Sequence, residues 1–264
     1  MQETQTLAST FAKSVLPFLM AVTTPALAQQ TPEAPPPEAP PVEEAAPAED
    51  AAPVARELTS AEIAAFNKAV TDFTAGQTAQ QKGDNADAVA KYDAAIPAIR
   101  TAVEADPSKI DNLNFLANAL YAQAAAYGAL GQMDRVIPIY DEAVPHWRKV
   151  VEAKPSDVAS RNILAGILIQ LGNQNLRDHD RGGADPFYEE ALTLARQTVA
   201  DQPGDAVSKN ILLSALVGAS QTSVQEGIRD EAITMGKAMI ADGTIDATNR
   251  PQIETMTGPA APAG

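Results

Sequence analysis

Pro107, Pro155 and Pro203 lie 48 residues apart, and the chain around them repeats at that step without a gap. Asn114, Asn162 and Asn210 keep the step, as do Tyr92, Tyr140 and Tyr188, and Ala95, Ala143 and Ala191. So do Arg100, Arg148 and Arg196, and Leu120, Leu168 and Leu216. A fixed period in this range marks an array of stacked supersecondary units. No unit of such an array buries its apolar face alone, so neighbours must complete each other's core.

Residues 107–154 show what one unit contains. Pro107-Ser108 opens it, and proline suits the first turn of a helix. From Ile110 to Leu130 the chain is rich in Ala and Leu, with no proline. Gly131-Gln132 then punctuates, as glycine does just past a helix. Beyond it Val136, Ile139, Tyr140, Ala143, Trp147, Val150 and Val151 recur at helical spacing. The unit therefore reads as two antiparallel helices of about 20 residues joined by a tight turn. The same reading fits 59–106, 155–202 and 203–250, and Thr59-Ser60-Ala61-Glu62 resembles a capping box at the start. No sustained alternation signals a strand. The expected class is all-α, four helical hairpins over 59–250. Pro97 and Pro145, in register within second helices, should leave the carbonyls of Asp93 and Asp141 unpaired and bend those helices.

The small and aromatic positions inside each hairpin resemble the tetratricopeptide repeat. Gly76, Ala124, Gly172 and Ser220 fill the small position of the first helix. Ala88, Val136, Ala184 and Ala232 fill that of the second. The aromatic is Tyr92, Tyr140 and Tyr188, with Gly236 departing, and the next small residue is Ala95, Ala143 and Ala191, with Met239 departing. The inter-helix glycine is Gly83, Gly131 and Gly227, with His179 departing. The usual unit of that family has 34 residues, so each helix here is extended by about two turns. The resemblance implies a right-handed α-solenoid whose first helices line a concave face, and the fourth unit degrades after Ile233 as a terminal capping repeat would.

The flanks read differently. Val15 to Val22 is a short apolar run behind Lys13, followed by Ala26-Leu27-Ala28, the pattern of a secretory signal peptide over 1–28. The run is short for a membrane span, so membrane attachment is expected only if this segment stays uncleaved. Residues 29–58 hold eight prolines and seven acidic residues against Arg56 alone, a composition for a disordered, extended spacer. Residues 251–264 are expected as a disordered tail. The protein is thus expected to be exported, to the periplasm.

Composition narrows the chemistry. Net charge is −15 with no basic stripe, which argues against nucleic acid. There is no cysteine, so disulfide and thiol chemistry are excluded. His146 and His179 fall in different units without the partners that zinc or nucleophilic catalysis needs. No phosphate loop, dinucleotide fingerprint or nucleophile elbow occurs. No enzyme and no cofactor are expected.

The candidate binding residues lie on the first helices. Asn114, Asn162 and Asn210 form a row, with Asn118 and Tyr121 on the face of Asn114 and with Arg161 and Lys209 each preceding a ladder asparagine. Side-chain amides in a row can hold a peptide backbone without reading its sequence, and they can equally bond neighbouring helices and set the stacking register. The Arg100, Arg148 and Arg196 row is structural, through stem packing and pairing between repeats. Glu104 and Glu152 follow the first two by four residues. Asp178, Asp180, Gly183 and Glu189 match places of a calcium-binding loop, although the register makes the same segment an inter-helix turn. The expected function is a non-enzymatic scaffold or adaptor of the cell envelope that binds an extended protein segment. The alternatives are a self-associating structural component and a calcium- or small-molecule-binding accessory protein.

Overall fold

A computed structural model of the protein describes residues 55–222 and 227–258. Nine helices follow one another among them, with no strand. They are α1 (Ser60–Gln81), α2 (Asn85–Ala105), α3 (Ile110–Ala129), α4 (Met133–Ala153) and α5 (Val158–Arg177). The rest are α6 (Arg181–Asp201), α7 (Ala206–Ala219), α8 (Ile228–Ala241) and α9 (Asn249–Thr257). Consecutive helices pack in pairs as four hairpins, each hairpin lies on the next, and the result is an α-solenoid. The expectations for 1–54 and 259–264 fall outside the described residues. No described helix is long and apolar enough to cross a membrane.

Local chemistry sets where the helices start and stop. At Thr59 the capping box forms in full: its hydroxyl accepts from the Glu62 N–H, and the Glu62 carboxylate accepts from the Thr59 N–H. Asp157 and Asp205 cap α5 and α7 by accepting from the N–H groups of Ser160 and Ser208. Pro107, Pro155 and Pro203 were expected inside the first turns of these helices. They instead follow the residues that cap the ends of the preceding helices, Asp106, Lys154 and Gln202. A proline cannot continue a helix, so it fits just past the end. The second helices run uninterrupted through Pro97, Pro138, Pro145 and Pro186.

The turns within hairpins are built alike. Gly83 and Gly131 adopt positive φ, 81° and 75°, and close the turn with bonds to Gln80 and Gly128. His179 takes the same place with the same bond, to Leu176, at φ 62°. It is the one non-glycine at positive φ among the described residues.

In the first and third hairpins a tyrosine ring packs on a glycine of the facing helix. A Cβ on Gly76 would fall 2.7 Å from the Tyr92 ring, and one on Gly172 would fall 2.8 Å from the Tyr188 ring. With that space open, the hydroxyls reach acceptors, Tyr92 to Gln80 at 2.9 Å and Tyr188 to Asn173 at 2.6 Å. In the second hairpin the small position is Ala124. The buried Tyr140 there makes no such bond among the described residues.

Both ends of the array are closed by changes at core positions. Leu116, Leu164 and Leu212, and Leu120, Leu168 and Leu216, are buried leucines in register. The first hairpin has Lys68 and Asp72 instead, ion-paired at 2.5 Å. At the other end α7 and α8 shorten to 14 residues each, and α9 packs against both. Gly236, which stands in the tyrosine register, leaves room for Ile253 of α9: a Cβ would lie 2.5 Å from it. Residues 251–257 were expected in a disordered tail, and they are helical because Ile253 completes the last hairpin's core. Residues 55–58, expected in the spacer, are also tied down: the Arg56 N–H donates to Ala105 at 2.8 Å and its guanidinium pairs with Glu62.

Candidate functional site

The two faces of the solenoid differ in chemistry. On the second helices Arg100 reaches Glu142 at 2.8 Å, Arg148 reaches Glu190 at 2.6 Å, and Arg196 reaches Glu231 at 2.7 Å. These bonds join one hairpin to the next, as expected of repeat-to-repeat pairing, and they bypass Glu104 and Glu152. A groove of about 480 Å³ lies beside the first pair, lined by Ile96, Gln123, Tyr127 and Arg135 among others. Asp134 apart, its polar groups are already engaged. Asp93 accepts from Gln123 and Tyr127, and the Arg135 guanidinium sits 5.4 Å over the Tyr127 ring.

The solvent-facing strip of the first helices has little charge. On α1 it carries Ile63, Asn67, Val70 and Thr74; on α3, Asn114, Asn118, Tyr121 and Ala125. On α5 it carries Asn162, Gly166 and Asn173, and on α7, Val207, Ile211 and Ser214. These positions recur every three or four residues and share one face. Ile63, Val70 and Val207 are 47%, 43% and 57% exposed. The other exposed large apolar residues described, Leu130 and Met133, flank the Gly131 turn instead. The one carboxylate at the edge of α3, Asp111, is paired with Lys154.

The strip treats the expected binding residues differently. Asn114, Asn118 and Tyr121 are together and half-buried; Asn118 donates to the side-chain oxygen of Asn114 at 3.0 Å and to its carbonyl at 2.8 Å. Burial pushes the Tyr121 phenol above its ordinary pKa. Asn162 donates to the Ser208 hydroxyl of the next hairpin at 3.0 Å, and its Oδ1 is buried without a partner. Asn210 is buried and fully used: it donates to Ala206 and Thr244 and accepts from the Asp246 N–H at 2.9 Å. Arg161 is turned inward, 5% exposed, and pairs with Asp201 at the end of α6. Lys209 is half-buried, with no ion pair among the described residues. The row thus mixes register-setting bonds at Asn162 and Asn210 with an accessible group at Asn114, Asn118 and Tyr121.

Asn67 was not singled out from the sequence, nor were Ile63, Val70 and Val207. The side-chain amide of Asn67 makes no hydrogen bond among the described residues; Asn67 lends only its backbone carbonyl, to Thr71. The repeat does carry a signal for this strip, in the positions where it varies. Val70, Asn118, Gly166 and Ser214 occupy one register place with four residue types. A search for identity along the step passes over such a place.

The fold sets Glu189 apart from the other carboxylates of the calcium pattern and gives Asp178 and Asp180 other work. Asp180 caps α6 by accepting from the Gly183 N–H at 2.8 Å, and Asp178 accepts from Gln174. Glu189 lies eight residues into α6, about 12 Å along its axis from the helix start at the usual rise. Among the described residues no three His, Cys, Asp or Glu side chains gather as a metal ion requires. No protein-family model matches the chain, and no curated protein matches it.

Proposed function

We propose that the protein is a non-enzymatic scaffold that holds an extended segment of a protein partner along the exposed strip of its first helices. The observation that carries this reading is the contrast between faces. The second helices present interlocked ion pairs. The first helices present the unbonded amide of Asn67 and exposed apolar side chains, without an unpaired carboxylate among the described residues. Exposed apolar groups beside a free amide suit a peptide, whose backbone both donates and accepts. Gly166 adds room at the centre, since nothing lies within 4 Å of a Cβ built there. A glycine inside a helix costs about 1 kcal/mol relative to alanine, and no packing contact among the described residues offsets that cost. The resemblance to tetratricopeptide arrays supports the same face. The apolar run before Ala26-Leu27-Ala28 supports placement in the cell envelope.

Selection from a displayed library of random peptides tests the reading. Peptides enriched on the native chain should be lost on a Val70→Asp, Gly166→Arg variant whose circular dichroism is unchanged. Enrichment of the same peptides on both proteins, or of none on either, rejects it.

A further inference from the structure

We propose that the array is two rigid halves, α1–α4 and α5–α9, joined by a hinge at the junction of α4 and α5. Three observations place it there. First, α1 packs on α3 and α5 packs on α7, yet no Cα of α3 lies within 8 Å of one of α5. Second, packing between α4 and α5 is sparser than between α2 and α3 or between α6 and α7.

Third, the register offers a cause for the gap. Gly218 lets α7 close onto the Tyr188 ring of the preceding hairpin, where a Cβ would collide with it. The register places Ala122 at the corresponding site against Tyr92, and Gln170 at the site against Tyr140. Small residues close the outer junctions, and a glutamine holds the middle one apart. Segments with few packed contacts open first.

Rotation there needs only the short turn from Lys154 to Asp157 to change conformation, which is how hinges usually work. The ion pair that crosses the junction, Arg148 to Glu190, has an exposed arginine, so water replaces it at little cost. Opening alters the spacing between the α3 and α5 segments of the exposed strip. The array therefore adjusts its reach at one place instead of flexing evenly.

The chain has no cysteine, so pairs of introduced cysteines report without background. Spin labels are placed at Thr101→Cys with Lys149→Cys, at Lys149→Cys with Gln197→Cys, and at Gln197→Cys with Lys237→Cys. Only the middle pair spans the junction. Its distance distribution should be about twofold broader than the other two, as expected for a hinge between rigid bodies. Adding Gln170→Ala should narrow it. Three distributions of equal width, whether narrow or broad, overturn the hinge. A middle distribution that stays broad with Gln170→Ala overturns the role of Gln170.

Discussion

His179 holds a backbone conformation that glycine holds in the neighbouring hairpins. Its φ of 62° lies where a side chain costs roughly 1–2 kcal/mol. Its bond to Leu176 shows that the turn is formed in spite of that cost. His179→Gly is therefore expected to stabilise the protein by about 1 kcal/mol after glycine's larger unfolded-state entropy is counted. Chemical denaturation of the two proteins measures it, and an unchanged or lower midpoint contradicts it. The sequence showed the departure at this position, but its backbone angle became visible only in the folded turn.

Helix α1 shows how a helix end depends on charge. The Glu62 carboxyl is held at a pKa of about 2, first by the Arg56 guanidinium and then by the N–H and hydroxyl of Thr59. Its pKa in the unfolded chain is about 4.3. The folded value is the lower one, so the stabilisation is complete well above about pH 4.3 and fades as pH falls towards 2. Glu62→Gln should melt at a lower temperature than the native chain at neutral pH, and the two should converge as pH approaches 2. A gap that persists in acid would show that the carboxylate charge is not the cause. The capping box was legible from Thr59 and Glu62 alone because its partners are close in sequence. The contribution of Arg56 was not, because a neighbour on the far side of the cap is fixed only when residues 55–58 dock on Ala105.

For the array as a body, the ends decide the state of assembly. A stacked array exposes one unsatisfied face at each end unless the terminal units are changed. Lys68 and Asp72 make the first face polar, and α9 covers the last. Replacing both with leucine restores the register of the other three hairpins and leaves an apolar patch on α1. With α9 still closing the far end, the patch has only its own copy to meet, a two-fold contact. Lys68→Leu with Asp72→Leu should thus convert the protein into a concentration-dependent dimer by sedimentation equilibrium. A variant that keeps the native mass at all concentrations refutes the assignment of this face as a blunted end.

The class of fold, the number of hairpins and the places of the repeated tyrosines could all be read along the chain. They could be read there because repetition and helical spacing are local patterns, and every unit restates them. Other outcomes appear only once the helices are stacked: which asparagines are spent on neighbours, that Arg161 faces Asp201, that α9 completes the last core, and that one junction is packed more sparsely than the others. Those outcomes depend on what the packed helices place opposite each side chain. Asn114, Asn162 and Asn210 share one register place, yet Asn118, Ser208 and Thr244 are the groups that meet them.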